Sequence, residues 1–186
     1  MISAGDFRPG NVVEMDGDLY EVVEFQHNKR GRGTAVVRAR VRSLRTGAIT
    51  ERTFMPEERF PQAYLERRRM QYLYRDGDHY VFMDQENYEQ LPLDPGLVGD
   101  GTRYLTENSE ATVVFHEGRP IGLELPNAVE LQVTETAPGV RGDTVAGGGK
   151  PARLETGATV TVPFFVQQGD RIRVDTRSGA YLERVK

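Results

Sequence analysis

Arg38, Arg40 and Arg42 alternate with Val37, Ala39 and Val41. Side chains on a strand point to opposite faces in turn, so this spacing puts three guanidiniums on one face and three apolar residues on the other. A row of planar, permanently charged forks matches phosphate oxygens. Along this strand no carboxylate interrupts the row, and like charges so aligned repel. Contact with phosphate is the chemistry the row implies; a solvated outer face is the alternative. Arg32 stands apart, between Gly31 and Gly33 and just after Lys29 and Arg30. Glycine lacks side-chain bulk and lets the backbone approach another surface closely. The stretch is either one long cation on a slim support or an ordinary glycine-rich turn with a solvated arginine; spacing leaves both open.

Groups for covalent or metal chemistry are sparse. His27, His79 and His116 have no metal-ligand spacing, and the absence of cysteine excludes a thiolate nucleophile or zinc–thiolate site. No Gly-x-Ser-x-Gly occurs. Residues 142–150 superficially look like a phosphate loop, but Pro151 follows Lys150 where Ser or Thr would bind magnesium, and the glycine spacing is wrong. Asp76, Asp78, Asp84 and Glu86 could be imagined as an acid pair, but carboxylates in turns of an acidic segment are expected to be solvated, without the pocket catalysis needs. The expectation is a protein that is not an enzyme and uses no cofactor and no metal.

The elements that would position these groups read as strands. Residues 19–27 and 34–44 are rich in β-branched and aromatic side chains, and the polar stretch between them makes a hairpin. With residues 12–15 and 49–54 it forms a small antiparallel barrel over residues 1–64. Residues 65–127 hold strand candidates at 70–74, 79–84, 88–91, 111–116 and 120–125, with a short helix or ordered loop in 94–108. Residues 128–186 hold candidates at 129–134, 152–155, 159–162, 171–175 and 181–185. Five strands with one longer connection in about 60 residues outline the oligonucleotide/oligosaccharide-binding (OB) barrel, and the last two segments are expected to repeat one structure. A bridging helix is expected over residues 56–69.

Charge is distributed unevenly over the 186 residues. The net charge is −4, but residues 27–52 carry eight Lys or Arg against Glu51 alone, while residues 65–127 carry 12 acidic and 6 basic side chains. Such a balance excludes a uniformly basic nucleic-acid coat and marks one local footprint for a polyanion. No apolar run approaches the length of a membrane span. The residues from Met1 to Asp6 have neither a basic nor an apolar signal region, and no Asn-x-Ser/Thr sequon occurs, so a cytoplasmic protein is expected. On that expectation Arg141-Gly142-Asp143, an adhesion tripeptide, is coincidence.

Longer motifs carry a family resemblance. The run from Lys150 through Gly157, Val160, Pro163 and Val166 to Gly169 resembles the C-terminal signature of the bacterial elongation factor P family of translation factors. So do Met70-Gln-Tyr-Leu-Tyr74, the run from Asp76 to Asp84, Tyr88-Glu-Gln90, Gly139-Val-Arg-Gly-Asp-Thr144 and Tyr181-Leu-Glu-Arg184. Met1-Ile2-Ser3 and the run from Tyr20 to His27 are similar too. The resemblance covers the whole chain. It implies a mainly β protein of three small barrels in an L shape like a transfer RNA: an N-terminal SH3-like (KOW-like) barrel at 1–64 and OB barrels at 65–127 and 128–186. It implies an elongation factor that binds the 70S ribosome between the peptidyl and exit sites and relieves stalling at consecutive prolines. Arg32 would contact the CCA end of the peptidyl-tRNA (a prolyl-tRNA), supported by Lys29, Arg30, Gly31 and Gly33. Gly142, Asp143 and Thr144 would approach the exit-site codon and small subunit, and Arg38, Arg40 and Arg42 would meet ribosomal RNA phosphates. Many members carry a modified lysine or a rhamnosylated arginine at the tip, so an enzyme modifying Arg32 is an implied partner; an unmodified arginine is the other option. Arg30 stands where many members have proline. A monomer without a membrane partner is expected.

Two other classes remain open on sequence: a free-standing single-stranded RNA-binding module, which the acidic middle segment disfavours, and a small-substrate enzyme, which the missing constellations disfavour. Within the family, the Gly31-Arg32-Gly33 tip and the full C-terminal signature favour the factor over its elongation-factor-P-like paralogue.

Overall fold

Apolar–polar alternation becomes strand pleat along most of the chain. The computed structural model describes residues 1–28, 31, 33–139 and 148–186. The first strands are β1 (Ile2–Ser3), β2 (Val12–Met15), β3 (Asp18–Asn28), β4 (Val36–Ser43), β5 (Ile49–Phe54), β6 (Arg59–Phe60) and β7 (Gln62–Ala63). They form a sheet of order β5-β4-β3-β2-β7 and a small pair, β1-β6. On β4 the expected alternation holds: Val37, Ala39 and Val41 are at most 1% exposed. Their core also takes Phe7, Phe54 and Phe60, whose ring centroids lie 5.3–5.9 Å apart.

The helix expected over residues 56–69 does not form. The segment instead supplies β6, β7 and the start of β8 (Glu66–Asp76). Pro61 has no N–H for a helix and pushes Phe60 toward extended backbone. Phe60 thereby pairs with Ile2 and reaches the aromatic core, while Gln62 and Ala63 pair with Val13 and Val12.

The remaining strands are β9 (His79–Asp84), β10 (Gln90–Leu93), β11 (Glu110–His116), β12 (Arg119–Glu124), β13 (Ala128–Thr136), β14 (Lys150–Leu154), β15 (Thr159–Val162), β16 (Arg171–Asp175) and β17 (Tyr181–Val185). A one-turn helix α1 (Pro95–Val98) and a 3-10 turn, Gly99–Arg103, lie between β10 and β11. The sheet orders are β10-β9-β8-β11-β12 and β15-β14-β13-β16-β17. Both read third, second, first, fourth, fifth strand, so the expected repeat is present in the topology. In each, the first strand sits centrally and carries a register shift, between Tyr72 and Tyr74 on β8 and between Val133 and Glu135 on β13. A bulge there bends a strand that pairs on both sides. Chain contacts group into two compact units, Met1–Arg67 with Val114–Gly122, and Arg68–Val113 with Leu123–Lys186.

Within the second unit, Tyr104 leaves the 3-10 turn to join the core of Leu131, Val133, Leu154, Ile172 and Val174. The Thr156 hydroxyl donates to the Arg103 carbonyl at 2.6 Å, and the Thr176 hydroxyl donates to the Pro126 carbonyl. The β16–β17 turn is built on Asp175, whose carboxylate accepts the N–H groups of Arg177 (2.8 Å) and Ser178 (3.1 Å). The Ser178 and Arg177 amides hold this carboxyl below the usual carboxylate range. A lowered folded-state pKa means a stabilising contribution fully present above the unfolded value and lost as pH falls through the folded one. In an NMR titration Asp175 should therefore show a midpoint below 3.8. The stability advantage of wild type over Asp175→Asn should fade over the same acid window; a midpoint at or above the usual value would contradict the turn's role. No helix among the described residues is long and apolar enough to cross a membrane.

Candidate nucleic-acid interface

The β3–β4–β5 ribbon presents Arg38, Arg40 and Arg42 on one face, as the alternation predicts, with Arg38 and Arg40 exposed and Arg42 half-buried. Its electrostatics differ from the expectation. Register sets Arg40 between Glu24 on β3 and Glu51 on β5, and Arg42 opposite Glu21. Arg40 pairs with Glu24 at 3.5 Å and Arg42 with Glu21 at 3.6 Å. Arg45 and Arg52 pair with Asp18 (3.1 Å) and Asp16 (3.3 Å). The row therefore does have acidic partners; they lie across the sheet, where a single strand's sequence does not show them. Arg38 differs: its cross-strand neighbours are Gln26 and Thr53, and no described carboxylate pairs with it.

Exposed ion pairs contribute about 0–1 kcal/mol each, so an arriving phosphate could recruit Arg40 or Arg42 at small cost, and Arg38 at none. Arg38→Glu should thus weaken binding to RNA and lower its salt slope by about one unit, the loss of one phosphate contact, while Arg40→Glu should do so less. Equal effects, or none, measured by binding across a salt series would remove Arg38 from the interface.

Lys29, Arg30 and Arg32 lie outside the described residues, as do Gly142, Asp143 and Thr144. Of the tip's supports, Gly31 and Gly33 are exposed, and the Gly33 amide donates to the Gly31 carbonyl at 2.7 Å. A Cβ added to Gly31 would meet nothing within 4 Å, so packing inside the chain does not require glycine there.

The ends of the other loop are closely specified. A Cβ on Gly139 would stand 2.8 Å from the Phe164 carbonyl oxygen, and one on Gly149 2.5 Å from that of Val162. Next to Gly149, Lys150 is 5% exposed and its ammonium donates to the Ala137 carbonyl. That ammonium braces the two ends of the loop, which is a different use from the phosphate-loop lysine it superficially resembles. These three residues were missed as a group because only the fold brings Ala137 beside Lys150.

Asp84 corrects another expectation. It is 5% exposed, not solvated, and its carboxylate accepts the Glu86 amide at 2.8 Å to shape the turn into β10. Among the described residues no group of three His, Asp or Glu side chains is arranged to hold a metal ion.

A charged β ribbon followed by two five-stranded sheets of one order defines a multidomain β protein of the KOW-like and OB class. Family comparison agrees segment by segment: residues 3–60 match the elongation factor P (EF-P) KOW-like domain, 65–123 the EF-P OB domain and 129–184 the elongation factor P C-terminal domain. Elongation factor P of Desulforudis audaxviator (strain MP104C) is 56% identical over 184 residues, 99% of this chain and 100% of that protein. That of Pelotomaculum thermopropionicum is 53% identical over 185 residues, all of both chains. Among solved structures, the eukaryotic translation initiation factor 5A from Methanococcus jannaschii has a TM-score of 0.49 at 22% identity, over 66% of this chain and 94% of that one. The chain belongs to the elongation factor P family, and its similarity to relatives so named supports a role in translation elongation.

Proposed function

We propose that the chain binds the ribosome between the peptidyl and exit sites and stimulates peptide-bond formation at consecutive prolines. The observation that supports this is full-length similarity to proteins named elongation factor P, at 56% identity for one relative. Arg32 is the group that orders the CCA end of the peptidyl-tRNA; Lys29 and Arg30 add positive charge beside it, and Gly31 and Gly33 keep it slim. Arg38 meets ribosomal RNA phosphate, with Arg40 and Arg42 recruited from their ion pairs. Gly142, Asp143 and Thr144 approach the exit-site codon and small subunit. The factor acts in the cytoplasm as a monomer, and Arg32 works either unmodified or as the substrate of a modifying enzyme.

The physics of this role needs no catalytic side chain. Proline fixes φ and constrains the nascent chain, making poor reaction geometry at the peptidyl end. A factor that holds the reacting end in place lowers the entropic part of the barrier, and each tenfold in rate corresponds to about 1.4 kcal/mol. The test is a purified translation system. Synthesis through three consecutive prolines should speed up on adding the protein, while a proline-free message should be nearly unchanged. Equal stimulation of both messages, or of neither, would refute the proposal.

A further inference from the structure

Within the second compact unit a cleft of about 620 Å³ opens beside the β8–β9 hairpin, the 3-10 turn and the β14–β15 turn. Tyr72, Arg75, Tyr80, Arg103, Thr156 and Thr159 give it its chemistry, and no described carboxylate lines it. That is unexpected in a stretch where acids outnumber bases 12 to 6. Neither Arg75 nor Arg103 forms an ion pair with a described carboxylate, whereas most arginines of the β3–β4–β5 ribbon do.

The Arg75 side chain is also held in place. Arg75 donates its Nε–H to the Gly77 carbonyl at 2.9 Å and lies 5.5 Å from the Tyr80 ring centroid. Its two terminal NH2 groups remain available as a fork. Arg103 is anchored at its carbonyl by the Thr156 hydroxyl. The Tyr72 and Tyr80 rings lie 6.0 Å apart, tilted 42° to each other, with Tyr72 largely buried behind Tyr80 in the cleft lining. Burial, followed by the charges of Tyr80 and Glu107, raises the Tyr72 pKa above its ordinary value, so this hydroxyl stays protonated and can donate.

Two guanidiniums lining one cleft can share a phosphate, and the Arg75 guanidinium over the Tyr80 ring offers a planar group to a base. The volume falls within the usual range for small-ligand sites and is too small for a duplex. We propose that this cleft takes one unpaired nucleotide of an RNA strand, its phosphate held by Arg75 and Arg103 and its base beside Tyr80. The choice of an RNA strand over a free nucleotide rests on the translational reading above.

The test uses the full chain, isotopically labelled, titrated with uridine tetranucleotide, uridine monophosphate and inorganic phosphate. The tetranucleotide should shift the amide signals of Arg103, Thr156 and Ala158 saturably, at least tenfold more tightly than phosphate and more tightly than the mononucleotide. Arg103→Ala and Arg75→Ala should each weaken it at least fivefold, and Arg119→Ala, away from the cleft, should not. No saturable shift at these residues, phosphate binding as tightly as the tetranucleotide, a mononucleotide binding as tightly as the strand, or indifference to both arginine variants would each overturn the proposal. Failure here with intact stimulation at prolines removes the cleft alone. Tetranucleotide binding without such stimulation keeps the cleft and removes the elongation reading.

Discussion

Arg32→Ala should lower the saturating rate of proline–proline bond formation tenfold or more while leaving the protein folded. The substitution removes one cation flanked by Gly31 and Gly33, and on the proposed role folding stability should change by less than about 0.5 kcal/mol, as at ordinary surface sites. On the proposed role, ribosome affinity should fall only modestly, because Arg38 and its neighbours would still meet phosphate. The rate should fall further because tip contact acts on the reacting end itself, where about 1.4 kcal/mol of lost ordering is already tenfold. Arg32→Lys keeps the charge and loses the planar fork, and should be intermediate. The measurement that decides is the maximal rate at saturating factor. A wild-type rate for Arg32→Ala under that condition would identify the tip as an ordinary turn.

Tyr104→Ala should be the most destabilising of the substitutions considered. Tyr104 is 8% exposed and packs in the same core as Leu131, Val133 and Ile172. Removing a buried aromatic ring costs about 3–5 kcal/mol, through lost transfer energy and the cavity left behind. For a chain of this size that is roughly a 6–20 °C fall in melting temperature. Tyr104→Phe retains the ring and should lose much less. A melting shift of under about 2 °C for the alanine variant would mean that the ring contributes little to this core, and calorimetry would show it directly.

The strands were legible where one face is fully buried, because burial enforces a two-residue period. Val12–Met15, Thr159–Val162 and Arg171–Asp175, whose alternate residues are buried, have the expected bounds; so do Ile49–Phe54 and Tyr181–Val185, which are mostly exposed. Residues 56–69 misled because their charges fall on most faces, and the decisive feature was one residue, Pro61, together with the demand of the aromatic core for Phe60. The arginine row was legible as a face and illegible as a field. Whether Arg40 is compensated depends on which residues of β3 and β5 lie opposite, and the shift between Val22 and Glu24 helps decide that. Asp84 reads as solvent-facing from composition, yet its carboxylate is engaged by a backbone amide two residues on. The cleft of Tyr72, Arg75, Tyr80 and Arg103 draws on three separate stretches, so no local pattern announces it.

The close approach of Gly139 to Phe164 and of Gly149 to Val162, with Lys150 reaching Ala137, has a consequence for how this protein can change over evolutionary time. Any side chain at either glycine would collide with a backbone carbonyl, and the ammonium would have to give up its acceptor if the ends moved apart. The positions of Gly139 and Gly149 are thus specified by the packing of the barrel. Drift at Gly139, Gly149 and Lys150 is therefore limited by the sheet's own packing, whatever surface the chain meets.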